Sequence, residues 1–186
     1  MKRLTPIIAC LVALAATGAP LKLKDIRGPV RQPTAANGQK AAVLFFITVD
    51  CPVANRMAPE IKRIAKHFGG SVKFTLVYPD PDLNAAALRK HLDDFGYGKM
   101  PAVHDAKHML VRAAKAEVTP EAVVFDARGR VAYRGRINNL YADFGKPRRV
   151  ITEHNLREAL QSLLEDKTIK QPRTEAIGCF IAPLLK

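Results

Sequence analysis

The strongest constraint on the fold is one junction. Ala42-Val43-Leu44-Phe45-Phe46-Ile47-Thr48 is a short apolar run rich in aromatic and β-branched residues. Such a run predicts a strand buried on both faces. Asp50-Cys51-Pro52 follows it, and a helical pattern starts at once. Met57, Ile61, Ile64 and Phe68 fall on one face of that helix, with Lys62, Arg63 and Lys66 elsewhere. A buried strand feeding an amphipathic helix begins an α/β layer architecture. Cys51 stands at the carboxyl end of the strand, where open α/β sheets place their chemistry.

The rest of the chain repeats the alternation. Gly69-Gly70 stops the helix, Val72 to Tyr78 reads as a second strand, and Pro79-Asp80-Pro81-Asp82 is a turn. A helix is predicted over 84–95 and broken by Gly96-Tyr97-Gly98, then a short strand over 101–104 and a short helix over 106–114. Residues 121–126 and 130–136 read as strands joined by the tight turn Ala127-Arg128-Gly129. Residues 138–151 read as a polar, basic loop. The last predicted helix, 153–164, carries Leu156, Leu160, Leu163 and Leu164 on its apolar side. Strands alternating with helices, then a strand pair and a closing helix, imply an α/β sandwich with a mixed sheet. The expected division is a signal peptide (1–18), a leader able to add an edge strand (19–37), one domain (38–166) and a C-terminal tail (167–186).

Lys2 and Arg3, an apolar run from Ile7 to Ala16 and the small residues Ala16-Thr17-Gly18 have the layout of a secretory signal peptide cleaved after Gly18. A transmembrane anchor is the competing reading. Ile7-Ile8-Ala9-Cys10 fits a lipoprotein box only superficially, because the apolar stretch before Cys10 is too short. Cleavage would leave two cysteines, Cys51 and Cys179. An even pair in an exported, periplasmic or otherwise extracytoplasmic chain suggests a disulfide or a redox couple. The net charge is +13, and +11 without Lys2 and Arg3. A basic surface suits a partner with an acidic surface, although a well-solvated surface is the plainer reading. Export and the lack of an aromatic-rich basic motif argue against nucleic acid. No stable membrane anchor is expected after cleavage.

Two motifs carry a resemblance to the thioredoxin-like superfamily. Cys51-Pro52-Val53-Ala54, followed by Met57-Ala58-Pro59, is similar to that family's active-site junction. Val118-Thr119-Pro120-Glu121-Ala122-Val123-Val124-Phe125-Asp126, then Gly129-Arg130-Val131, is similar to its cis-proline stretch and hairpin. The resemblance spans 38–166 and implies a thioredoxin-like three-layer sandwich with a mixed central sheet and flanking helices. The insert from Asn84 to Ala114 resembles exported redoxins of the alkyl hydroperoxide reductase/thiol-specific antioxidant branch, and Thr48-x-x-Cys51 echoes peroxiredoxins.

By that resemblance Cys51 is the nucleophile of thiol–disulfide exchange with protein thiols or disulfides. Pro120 is cis, and the Thr119 backbone turns toward Cys51 to pair with a substrate strand. Ala54 replaces the second cysteine of Cys-x-x-Cys, and Phe45 replaces thioredoxin's buried carboxylate. The resolving thiol is therefore expected from afar. Cys179 is the candidate, with a free or structural cysteine as the alternative. The tail is long enough to return to Cys51, Gly178 would let it approach closely, and Phe180 and Ile181 would bury beside the site.

A peroxidase reading is the first alternative. It is weakened by Leu44 and Pro120, which stand where that family has its proline and arginine, leaving Arg134 or Arg136 as substitutes. The second alternative is a Sco-like copper carrier using Cys51, Cys179 and His154. His104 and His108, four residues apart, are a weak metal pair, and His67 and His91 read as solvated helix residues. No cofactor is expected.

Overall fold

The computed structural model describes residues 21–184, so the predicted signal peptide lies outside the described residues. The leader contributes β1 (Leu23–Lys24) and β2 (Val30–Arg31), which pair antiparallel with each other. The predicted buried strand is β3 (Ala41–Phe46), followed by α1 (Pro52–Phe68), β4 (Val72–Tyr78), α2 (Ala85–Asp94) and β5 (Ala102–His104). Then come α3 (Met109–Ala114), β6 (Val118–Thr119), β7 (Glu121–Asp126) and β8 (Val131–Gly135). The chain ends with β9 (Tyr141–Asp143), β10 (Lys146–Pro147), α4 (Asn155–Leu164) and β11 (Cys179–Phe180).

The central sheet has the order β5-β4-β3-β7-β8. β3 runs parallel to β4, and β4 to β5, whereas β7 is antiparallel to both β3 and β8. The sheet is therefore mixed. Every residue of β3 is fully buried, and its period-two alternation divides it between two cores. Ala41, Val43 and Phe45 pack with the apolar sides of α1, α2 and α4. Ala42, Leu44 and Phe46 pack with Leu110 and Ala114 of α3 on the other face. This is the three-layer α/β sandwich implied by the sequence.

Local differences have local causes. α3 begins at Met109 rather than at 106 because the buried Asp105 carboxylate accepts the N–H groups of Met109, Leu110 and Val111 and fixes where the helix starts. The predicted basic loop contains the short antiparallel hairpin β9–β10. The leader meets the sheet at β4, where Lys73 Nζ donates to Gln32 O and Ala35 O, and at β5, where Asp25 bridges Val103 and the Ile26 N–H donates to Ala102 O. There the buried Asp25 carboxylate holds Arg31 and the backbone N–H of Arg27. Among the described residues no helix is long and apolar enough to cross a membrane.

Candidate functional site

Cys51 is the N-cap residue of α1, with Pro52 in the first turn and no side-chain cap. Proline there needs no N–H partner and presets the helical φ. The buried strand before it and the buried face of α1 after it leave Cys51 with 0% exposure. Its thiol is 3.0 Å from the carbonyl oxygen of Thr119, to which it donates. The Thr119–Pro120 peptide is cis. Ala54 is buried one turn into α1, and no other cysteine lies on that helix.

The tail supplies the second sulfur. Hydrogen bonds strap it to the edge strand β8 and the residue after it. The Arg134 N–H donates to Pro172 O, the Thr174 N–H donates to Arg134 O, and the Arg136 N–H donates to the Thr174 hydroxyl. Gly135 has φ +149°, and a Cβ there would fall 2.2 Å from Thr174 O, so the crossing requires glycine. The tail then becomes β11, antiparallel to β6 with Cys179 opposite Thr119, and the Ile181 N–H donates to Glu117 O. A Cβ on Gly178 would lie 2.0 Å from Thr119 O. The Cys179 and Cys51 sulfurs end 2.7 Å apart, across 128 residues of chain. Burial, with the Cys51 sulfur alongside, pushes the Cys179 thiol up to about 12. Phe180 does not bury as the sequence suggested: β11 turns it outward, 87% exposed, while Ile181 packs against the α3 core.

A buried polar chain behind the site was not foreseen. His91 is buried rather than solvated. Asn55, four residues into α1's sequence from Cys51, donates from Nδ2 to Val49 O in the loop that carries Cys51. Its Oδ1 then faces His91 Nε2 at 2.8 Å, which must donate. His91 Nδ1 is left to accept from the Tyr78 hydroxyl at 2.8 Å. Burial lowers the His91 pKa and raises that of Tyr78, so both stay neutral near neutral pH. The sequence signal available was a histidine three positions after Leu88 on the helix, at the spacing of the buried side.

The remaining candidates are scattered. His154 is exposed at the start of α4, and among the described residues no three His, Cys, Asp or Glu side chains form a group able to hold a metal. The copper set Cys51, Cys179 and His154 is therefore not assembled. His104 and His108 bind the carbonyls of Asp80 and Pro79 through Nε2. Arg134 is paired with Glu117 and Glu121, and Arg136 with Glu153 and Asn155. Neither arginine is free to stand in for a peroxidase's.

A groove of about 700 Å³ beside the pair is lined by Thr48, Asp80, Asp82, Thr119, Phe180 and Ile181 among others. A second, of about 340 Å³, is lined by Glu117, Phe144, Gly178 and Phe180 among others. A groove of about 580 Å³ lies between α1 and α4, lined by His67, Phe68, Asn155 and Arg157 among others, away from Thr119 and the tail strand.

The Redoxin family model matches residues 20–143. No curated protein matches the chain. Among solved structures, an uncharacterized conserved protein from Geobacillus kaustophilus is 23% identical, with a TM-score of 0.79 and 90% of each chain covered. The exposed lipoprotein thioredoxin of Streptococcus pneumoniae is 17% identical, with a TM-score of 0.59 over 79% of this chain and 99% of that one. A secreted Mycobacterium tuberculosis disulfide oxidoreductase homologous to E. coli DsbE is 20% identical, with a TM-score of 0.51 over 60% of this chain and 80% of that one. At these identities the likeness is one of fold, and the fold is thioredoxin-like.

Proposed function

Because the chain belongs to the Redoxin family, we propose that it is an exported redoxin performing thiol–disulfide exchange through the pair Cys51 and Cys179. The observation that carries this reading is the 2.7 Å approach of two sulfurs separated by 128 residues. A covalent S–S bond is about 2.05 Å long, so a small movement closes a disulfide. Closure transfers two electrons to the partner's disulfide, which becomes two thiols, and reopening reverses the flow. Thr119 takes part twice, accepting from the Cys51 thiol and pairing with Cys179 through its backbone. The cis peptide before Pro120 sits beside that contact. The tail is thus a working part of the site: it does what the second cysteine of Cys-x-x-Cys does where α1 holds one. Partners are protein thiols or disulfides, with an acidic surface complementing the chain's positive charge.

The like-folded secreted disulfide oxidoreductase and exposed lipoprotein thioredoxin support both the chemistry and an extracytoplasmic setting. Non-reducing peptide mapping after treatment with oxidised glutathione tests the pair. A linked Cys51–Cys179 peptide is expected in the parent and in neither Cys51→Ser nor Cys179→Ser. Two freely alkylatable cysteines in the treated parent overturn the reading. For export, the mature N-terminus recovered from the cell envelope is expected near Ala19.

A further inference from the structure

We propose that a partner's attacking thiolate meets this disulfide at Cys179, and that Cys51 is the sulfur expelled. The proposal rests on reading the two cysteines as a dithiol–disulfide pair. It reverses the order expected from the sequence, in which Cys51 meets the partner.

Access is the first argument. Cys51 has no exposed surface, whereas Cys179 is half-buried on the outermost strand of the site. What covers Cys51 is held firmly. The tail is tied to β8 at Arg134 and Arg136 and to β6 at Thr119 and Glu117. Thiol–disulfide exchange requires the attacking sulfur to reach the attacked one, and with the tail docked only Cys179 can be reached. The Thr119 edge, where a substrate strand was expected to pair, is occupied by the chain's own Cys179 and Phe180. A partner therefore approaches along the tail. The exposed Phe180 lines the grooves on both sides of it.

The second argument is the leaving group. The sulfur that departs faster is the one whose thiolate is the more stable. Cys51 caps the N-terminus of the 17-residue helix α1, whose first N–H groups lie beside a departing sulfur, whereas Cys179 sits on a two-residue strand with no helix end beside it.

The step balances without a further reagent. The partner thiolate attacks Cys179 Sγ, a new S–S bond forms there, and the Cys51–Cys179 bond breaks. Cys51 leaves with the electron pair and ends as the thiol, taking up the equivalent of the proton that the partner's thiol gave up on forming its thiolate. The partner's second thiol, deprotonated, then attacks the partner sulfur of the mixed disulfide. This releases Cys179, which is protonated in turn. Two electrons have passed from a partner dithiol to the protein, and the partner leaves as a disulfide.

The test uses the oxidised parent chain and limiting glutathione as the probe thiol. The reaction is stopped with acid within the first turnover, free thiols are alkylated, and the peptides are mapped. Glutathione is expected on Cys179, with the alkyl group on Cys51, in about tenfold excess or more over the reverse pattern. Glutathione on Cys51, or equal labelling of the two, overturns the proposal. If instead both cysteines are alkylated before any glutathione is added, the pair itself is not a disulfide, and the parent reading fails along with this one.

Discussion

Replacing Gly178 by valine separates the docked tail from the chemistry it serves. A Cβ at that position would lie 2.0 Å from Thr119 O, 2.6 Å from Thr119 C and 3.0 Å from Pro120 N. All three are backbone atoms and cannot rotate aside. Carbon–oxygen contacts settle no closer than about 3.3 Å, so the tail must retreat by more than about 1 Å. Cys179 is the next residue, and its sulfur retreats with it. A misplacement of that size in a positioned reaction costs about 100-fold in rate. If the tail lifts altogether, Cys179 becomes a thiol on a tether of 13 residues from Asp166. Its root-mean-square reach is then about 20 Å and its effective concentration is in the millimolar range. Either way, closure of the Cys51–Cys179 disulfide should slow by about 100-fold or more. The assay adds oxidised glutathione to reduced protein and follows closure by acid quench and alkylation. Gly178 puts no side chain into either apolar core, but Ile177 and Ile181 beside it pack against them, so the thermal midpoint of the reduced protein should fall only by what those edge contacts supply, and closure is measured well below it. Closure within about threefold of the parent rate would refute the claim that tail docking positions Cys179.

Two further outcomes concern pH. The Cys179 thiol is pushed from its ordinary 9.0 up to about 12 by burial and by Cys51, so the reduced fold favours the neutral thiol. That preference is fully present below about pH 9 and is lost as pH rises toward about 12. The oxidised protein has no such group, so the urea midpoints of the two forms should draw apart above about pH 9, and a constant gap would contradict the assignment. His91 is shifted the other way. Burial holds its pKa below the ordinary 6.5 against the opposing pull of Asp94 and Asp50. Its ring meets Tyr78, Asn55, Phe95 and Tyr97. Stability that depends on neutral His91 is present above about pH 6.5 and lost as pH falls through the lower folded value. The thermal midpoint of the parent should therefore fall between about pH 7 and pH 5 by more than that of His91→Gln, and parallel curves would count against the buried relay.

What could be read from the sequence followed from short-range order. Ala42 to Ile47 declared a two-faced buried strand because every residue in it is apolar and four of the six are β-branched or aromatic. The stripe Met57, Ile61, Ile64 and Phe68 declared the helix behind it, and all four are buried. Cys51 was legible because it stands between those two signals.

Other features depend on partners distant in the chain. Asp105 sets the start of α3 through three backbone N–H groups, and nothing in its neighbours marks it as a buried carboxylate. His91 lies on a helix of weak amphipathic pattern, and its burial depends on Tyr78 and Asn55 from other elements. Phe180 was misjudged because hydrophobicity alone does not say which side of a two-residue strand faces inward. The Cys179↔Thr119 register decides that.

The separation of the two sulfurs also orders events in time. A chain made from its N-terminus presents Cys51 and the elements that bury it long before the residue 128 positions later exists. A product that stops short of Cys179 and has lost residues 1–18, as proposed for export, carries Cys51 as its one thiol, free to form a mixed disulfide with whatever thiol compound surrounds it. On the proposed pairing, closure would be a covalent record that synthesis has passed Cys179 and that the tail has reached its seat. In a Cys-x-x-Cys protein the same bond joins neighbouring turns of one helix and carries no such information.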